Sequence, residues 1–145
     1  MKQRFRFEKL TVWQEARKFK SEVNRASRSF PKDEMFALTS QLRRAAISVS
    51  SNVAEGSGRN SDRDFAHFVE QSYGSLMETA SLLFLAYDED YVPEPICDAL
   101  LEKADRLAGQ LVALNRSLSV PSSKTPFVRK VSGPRPSTLD PRHES

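Results

Sequence analysis

Apolar residues recur at spacings of three and four along four successive segments of the chain, and this pattern limits the fold more than any other sequence feature. Such spacing places the apolar side chains on one face of an α-helix. The four stripes run over about residues 12–30, 35–53, 65–87 and 96–118. Amphipathic helices of this length with short connections bury their apolar faces against one another. We therefore predict an all-α, antiparallel up-down-up-down four-helix bundle without strands.

Proline, glycine and capping residues set the predicted ends of these helices. Residues 30–31 (Phe-Pro) end the first helix, because the residue before a proline avoids the helical region. Gly56 and Gly58 tolerate positive φ and are expected to end the second helix. Ser61, with Asp64 three residues later, is a capping-box pattern for the third. The predicted helices span about 10–29, 32–55, 61–88 and 94–119 of a domain covering 1–119.

Residues 120–145 differ in composition from the rest of the chain. They hold five of the eight prolines and no apolar periodicity. Such a segment cannot bury enough surface to offset chain entropy, so we expect a disordered tail. No apolar run reaches the roughly 18 residues of a membrane span. The first ten residues also lack the apolar core of a signal peptide, so a cytoplasmic protein is expected.

The overall charge of +3 conceals a strong asymmetry. Residues 1–60 carry 13 basic and 6 acidic side chains, whereas residues 61–119 carry 4 basic and 11 acidic ones. The two halves of the predicted bundle therefore have net charges of +7 and −7, and the tail adds +3. Unlike charges on one chain suit head-to-tail contacts between copies, which close into a ring when the rotation permits. We therefore expect a homo-oligomer, with a ring favoured.

The basic half supplies the candidate nucleic-acid-binding residues. Basic and aromatic side chains alternate over residues 2–9, which suits phosphate contact and base stacking. The alternative is that Phe5 and Phe7 simply pack on the end of the bundle. For the arginines of the second helix, an internal contact or an exposed polar face is the alternative to contact with an anion or a second subunit. The candidates are Arg4, Arg6, Arg17, Lys18, Arg25, Arg43, Arg44 and Arg59.

The sequence lacks the residue sets that catalysis requires. His67 and His143 are the only histidines, and His143 lies in the tail, so the bundle offers no nucleophile–histidine set with an orienting group. Residues 56–58 (Gly-Ser-Gly) follow a helix and lack the lysine of a phosphate-binding loop. Bundle metal sites use Glu-x-x-His pairs, and none is present. We expect no enzyme activity, no metal and no cofactor.

Four segments of the chain carry the motifs of a known family. They are LTVWQEA (Leu10–Ala16), FPKDE (Phe30–Glu34), QLRRAAISVSSNVAEGSGR (Gln41–Arg59) and GSLMET (Gly74–Thr79). With these motifs the chain resembles the four-helix-bundle family of the 23S rRNA intervening-sequence proteins over roughly residues 5–119. The family pattern has a proline where Ser50 stands, so we expect a softer helix kink here.

The resemblance implies a four-helix bundle and, from relatives, a ring-shaped homopentamer. Many genes of the family lie in inserts within ribosomal RNA genes. A related group serves as the accessory protein of diversity-generating retroelements, where it binds nucleic acid and a reverse transcriptase. The resemblance also implies structural roles for the motif residues Asn52, Glu55, Gly56 and Gly74. Gly74 lies at mid-helix, where glycine costs about 1 kcal/mol relative to alanine, so we predict a close helix crossing there.

Two functions fit these observations. The first is a non-catalytic oligomeric bundle that binds RNA or DNA weakly and without sequence specificity. The alternative is a structural oligomer or protein adaptor with no nucleic-acid role, in which the basic half docks on the acidic half of a neighbour. The expected partners are further copies of the chain, RNA or DNA, or another protein, and no membrane.

Overall fold

The computed structural model describes residues 1–119, and within that range it contains four long helices and no strand. The helices are α1 (Thr11–Ala26), α2 (Leu38–Ser57), α3 (Asp62–Asp88) and α4 (Glu94–Leu118). Each helix packs on the next, and α4 closes on α1. Short connections between neighbouring helices make them antiparallel, so the predicted up-down-up-down bundle is confirmed. The predicted disordered tail, 120–145, lies outside the described residues.

One core runs the length of the bundle and is built from the predicted stripes. Its largest fully buried apolar side chains include Phe19 from α1, Leu42 from α2, Phe65 from α3 and Leu111 from α4. The stripes fail only at certain ends: Met35, Tyr87 and Ile96 were expected inside and are exposed. Tyr87 lies in the last turn of α3 and Ile96 in the first turn of α4, whereas Met35 lies in the connection before α2 begins. The apolar periodicity therefore predicts which face of each helix is buried, but not how far along the helix that burial extends.

The connection from α1 to α2 departs most from the sequence-based prediction. α1 ends at Ala26 rather than 29, and α2 begins at Leu38 rather than 32. Two single turns of 3₁₀-helix, Ser27–Ser29 and Lys32–Glu34, lie between them. The backbone then leaves the helical region at Ala37, with φ −128° and ψ −106°. The apolar spacing did not reveal this change of direction, because a short 3₁₀ turn has nearly the same residue spacing as an α-helix.

The carboxylate of Glu34 joins this connection to the turn between α3 and α4. Glu34 Oε1 accepts a hydrogen bond from the Leu38 backbone N–H at 3.3 Å, and its Oε2 accepts one from the Tyr91 hydroxyl at 2.9 Å. The Tyr91 ring also lies 5.6 Å from the ring of buried Phe30. Tyr91 follows α3, so the contact joins two loops at one end of the bundle.

Gly56 was expected to end α2 through positive φ, and that expectation is wrong. α2 continues to Ser57, and no glycine among residues 1–119 has positive φ. Gly56 is buried inside the helix, and a Cβ there would lie 2.7 Å from the Cβ of Phe68. Its hydrogen therefore permits close contact between α2 and α3. The predicted cap of α3 is present in its first half, since Ser61 Oγ accepts a hydrogen bond from the Asp64 N–H at 3.1 Å.

The close crossing predicted at Gly74 is absent from the described chain. Gly74 is exposed, and nothing lies within 4 Å of the position that a Cβ would occupy. The residue that has the left-handed conformation is instead Asp90, with φ 63°. It ends α3 in a Schellman motif, in which the Tyr91 N–H donates to the Ala86 carbonyl at 3.0 Å. The acidic cluster that begins at Asp88 thus forms the exposed turn between α3 and α4.

Candidate nucleic-acid interface

An open groove of about 1060 Å³ lies between the N-terminal arm (residues 1–9) and the exposed face of α1, and we call it the arm groove. It brings together four of the eight candidate cations: Arg4, Arg17, Lys18 and Arg25. The α1 members share the outer face because their neighbours Ala16, Phe19 and Val23 occupy the buried stripe. The groove thus arises from local helix periodicity together with an arm that folds back over α1.

Glu8 holds the arm in place. Its Oε2 accepts hydrogen bonds from the backbone N–H groups of Arg4 at 2.9 Å and Phe5 at 2.8 Å. These two bonds lower the pKa of the Glu8 carboxyl below its usual value, because they favour the charged form. The Gln14 side chain on α1 donates to the Glu8 carbonyl at 2.7 Å. These hydrogen bonds therefore fix the N-terminal arm against the first turns of α1.

Aromatic rings line the arm side of the groove. The rings of Phe5 and Phe7 stack at 5.6 Å with an interplanar angle of 5°. Phe7 packs against Trp13 of α1 at 4.7 Å with a tilt of 60°. Arg17 Cζ lies 5.4 Å from the centre of the Trp13 ring, so its guanidinium is stacked at the edge of the groove. Trp13 was not among the candidates, although its position four residues before Arg17 puts both on one helix face.

Carboxylates reduce the positive charge of the groove. Glu8 and Glu22 line it together with the four cations. Lys18 Nζ lies 3.6 Å from Glu15, so part of its charge is already balanced. Glu22 pairs with Lys103 of α4. Among residues 1–119, Arg4, Arg17 and Arg25 make no ion pair. Arg4 donates to the Lys2 carbonyl and Arg17 lies over the Trp13 ring, so Arg25 is the cation in the groove most available to a phosphate.

Arg6 and Arg59 lie at a different place, at the junction of α2 and α3. Arg6 Cζ lies 5.1 Å from the centre of the Phe65 ring, and its Nη1 donates to the Ser57 carbonyl at 3.4 Å. Arg59 Cζ lies 5.0 Å from the centre of the Phe68 ring. Phe65 and Phe68 are also the residues that lie closest to Gly56, so both guanidiniums cover rings beside this contact between α2 and α3. They stabilise this end of the bundle and remain exposed at its surface.

The two adjacent arginines of α2 point in different directions. Arg43 is half-buried, and its Nε donates to Ser27 Oγ at 2.8 Å. Arg44 is exposed and lines a second groove of about 580 Å³ between α2 and α3, which we call the α2–α3 groove. Glu78 lines it from α3, and Phe36 lines it with 95% of its surface exposed. The eight candidates therefore do not form one continuous patch.

The motif residues of α2 take part in a polar seam between α2 and α3. Asn52 Nδ2 donates to the Ser48 carbonyl and to Ser48 Oγ, each at 2.9 Å. Ser75 Oγ of α3 donates to Ser48 Oγ at 2.8 Å. Deeper in the core, the buried Ser72 hydroxyl donates to the Val49 carbonyl at 2.7 Å. Glu55 is exposed and does not enter the seam.

The described residues contain no constellation that indicates metal chemistry or a membrane span. Between residues 1 and 119, no three histidine, cysteine or acidic side chains lie close enough to hold a metal ion. None of the helices in that range is both long and apolar enough to cross a bilayer. Cys97 is buried, and burial raises the pKa of its thiol, with Asp98 and other carboxylates adding to the shift.

Comparison with known proteins identifies one family. No curated protein matches the sequence at a significant level. Residues 8–113 match the family model described as 23S rRNA-intervening sequence protein. That range includes the arm residue Glu8, all of α1, α2 and α3, and most of α4. Since the match covers well over half of the sequence, the chain belongs to the 23S rRNA-intervening sequence protein family.

Proposed function

We propose that this protein is a non-catalytic, oligomeric helical bundle that binds RNA or DNA weakly and without sequence specificity through the arm groove. The observation that supports this most is the meeting of four basic side chains in one open groove. Cations spaced along a groove bind nucleic acid by neutralising phosphates and releasing counterions. The family's connection to ribosomal RNA genes agrees with this proposal.

The same groove suggests why binding is weak. Two of its lining side chains are carboxylates, and the acidic half of the chain adds a net charge of −7 that repels phosphate. We therefore expect a dissociation constant no tighter than about 10⁻⁶ M, within the range of non-specific binding at physiological salt. No recognised base-reading motif accompanies the groove, so sequence readout is not part of the proposal.

Oligomerisation is the second part of the proposal, with a homopentameric ring favoured. The opposite net charges of the two halves and the family resemblance support it. The α2–α3 groove carries an arginine, a glutamate and the exposed Phe36 ring, which suits a subunit contact. This groove and the arm groove have no lining residue in common, so a contact at one leaves the other open. A ring would repeat the arm groove on each subunit and add avidity.

A cytoplasmic location completes the proposal. The chain has a single cysteine, Cys97, so it can form no intrachain disulfide. Proteins that rely on no disulfide suit a reducing compartment.

A structural oligomer or protein adaptor is the second candidate function. The exposed Phe36 ring favours it, because an aromatic side chain with 95% of its surface exposed is a strong anchor for a protein partner. In that case Arg44 and Glu78 would serve recognition between proteins, and the arm groove would carry no ligand.

Fluorescence anisotropy with a labelled mixed-sequence RNA at roughly 50 mM salt tests the proposed function. The full chain is compared with a chain ending at residue 119, because the tail holds five basic residues that could bind by themselves. The double variant Arg17→Ala/Arg25→Ala is compared with Arg63→Ala/Arg116→Ala, which removes the same charge from exposed positions in the acidic half.

We expect the shortened chain to bind, and only the groove variant to weaken binding. Each lost phosphate contact reduces the magnitude of the slope of log K against log salt by about 0.7 on a single strand and by about 0.9 on duplex DNA. If the shortened chain does not bind while the full chain does, the tail is responsible and the arginines belong to subunit contacts. If neither chain binds RNA or DNA, the adaptor function replaces the proposal.

A further inference from the structure

We infer that the arm groove selects single-stranded RNA or DNA, with an unpaired base stacked on the free face of Phe5 and the phosphates lying along the basic face of α1. This inference rests on the proposed function for its phosphate contacts. It adds the chemical class of the ligand, which phosphate neutralisation alone leaves open.

The Phe5 ring is held in place and is open on one side. One face stacks on Phe7, and the ring planes are within 5° of parallel. The residue nevertheless keeps 58% of its surface exposed and lines the groove. Its backbone is fixed by the hydrogen bond to Glu8, so little additional order is lost when a ligand binds. Packing against Phe7 accounts for one face of the Phe5 ring, and the exposed face has no structural role in the bundle.

The ring pair is supported from below by α1. Phe7 rests on Trp13, and Arg17 stacks on the Trp13 ring. Trp13 is therefore part of the support rather than the surface that meets a base. A base on Phe5 would extend an existing row of rings, and the Arg17 guanidinium would lie beside that row.

The basic residues of α1 provide a track for the backbone of a strand. Lys18 and Arg25 are seven residues apart and line the same groove, which places them about 10 Å apart along the helix axis. A stacked strand rises about 3.4 Å per nucleotide, so this distance corresponds to about three nucleotides. One ring and two or three cations thus match a short stretch of single strand.

A duplex cannot use the ring. Its bases are stacked on one another and their faces are inaccessible, so it would contact only the cations. Because Glu8 and Glu22 weaken those phosphate contacts, the stacked base would contribute a large share of the affinity. Stacking of a base on an aromatic side chain changes affinity by about 5- to 150-fold and tolerates any base.

The test uses the full-length protein and two probes, a labelled mixed-sequence 16-nucleotide RNA and the same strand annealed to its complement. The readout is the ratio of the two dissociation constants, measured over a range of salt. Phe5→Ala removes the platform, and Phe5→Tyr restores an aromatic face. Phe36→Ala is the matched control, since it removes another exposed phenylalanine that lies outside the groove.

We expect the wild-type protein to prefer the single strand at least fivefold, although the duplex has the higher charge density. Phe5→Ala should weaken single-strand binding at least fivefold, leave duplex binding unchanged and keep the salt slope, because stacking releases no counterions. Phe5→Tyr should retain the preference. Phe36→Ala should leave the ratio unchanged, even if weaker assembly lowers both affinities together.

Equal binding of both probes, with no effect of Phe5→Ala, would overturn the inference and leave a groove that contacts phosphates only. The proposed function would survive that result. Absence of binding to either probe would remove both. An unchanged melting temperature of Phe5→Ala, expected because Phe5 lies outside the core, would show that lost binding is not lost folding.

Discussion

At Gly56 a single hydrogen atom determines how closely α2 and α3 approach. A Cβ at this position would lie 2.7 Å from Phe68 Cβ and 2.8 Å from Phe65 Cδ1. Neither atom is the far end of a flexible side chain, so the helices would have to separate. We predict that Gly56→Ala destabilises the protein by about 1–3 kcal/mol, the usual cost of overpacking a core. Urea denaturation of the variant measures it.

Gly74→Ala is the matched control for that prediction. Gly74 is also helical, but it is exposed and faces open space. The same substitution there should stabilise the protein by up to about 1 kcal/mol through helix propensity. Opposite signs for the two variants would attribute the first effect to packing. Equal signs would show that the close approach of Gly56 to Phe68 Cβ and the Phe65 ring does not limit the packing of α2 against α3.

At the scale of elements, the Tyr91–Glu34 hydrogen bond joins the α1–α2 connection to the α3–α4 turn. This bond, followed by burial and nearby carboxylates, raises the pKa of Tyr91 from 10.0 to about 12. A tyrosine whose pKa is higher in the folded state stabilises the fold fully below pH 10. That contribution is lost as the pH rises through about 12, because the folded state must then hold a phenolate beside a carboxylate.

We therefore predict that wild-type stability falls more steeply between pH 10 and 12 than that of Tyr91→Phe. Denaturation at a series of pH values measures the difference. Tyr73 and Tyr87 also have raised pKa values, Tyr73 through burial and Tyr87 through Glu94, but both remain in the variant. Parallel curves for the two proteins would show that the Tyr91–Glu34 bond does not couple the two loops in solution.

At the scale of the whole molecule, exposed apolar side chains and the unequal charge distribution bear on assembly. Phe36, Phe84 and Leu85 are each about half exposed or more. We predict that sedimentation at micromolar concentration and moderate salt gives a mass of several chains, with five times 16.4 kDa favoured. A single species near 16.4 kDa would contradict the proposed ring.

Two perturbations should act on this assembly in distinct ways. Salt at about 1 M shortens the Debye length to about 3 Å and should weaken contacts between the oppositely charged halves. Phe36→Ala should raise the dissociation concentration at least tenfold, since burying a phenylalanine side chain is worth about 1.5–3 kcal/mol. Phe5→Ala should leave the mass unchanged, because Phe5 lies in the arm groove.

The sequence by itself determined the four helices, their order and most of the core, because these depend on local periodicity. Side chains three and four apart, such as Phe19 and Val23, share a helix face whatever the rest of the chain does. The cap at Ser61 is equally local, since its partner is only three residues away. The grouping of Arg17, Lys18 and Arg25 on α1 follows from the same spacing.

The tertiary structure decided what depends on contacts between distant residues. Gly56 and Gly74 look alike in sequence, yet only Gly56 faces another helix. Arg43 and Arg44 are adjacent, but Arg43 donates a hydrogen bond to Ser27 at the end of the neighbouring helix α1, whereas Arg44 lines an open groove. The apolar periodicity of a helix predicts which face a residue lies on, but it does not predict which residues of other elements contact it. The physical reason is that close approach and hydrogen bonding act over a few ångströms in space, whereas periodicity describes only distance along the chain.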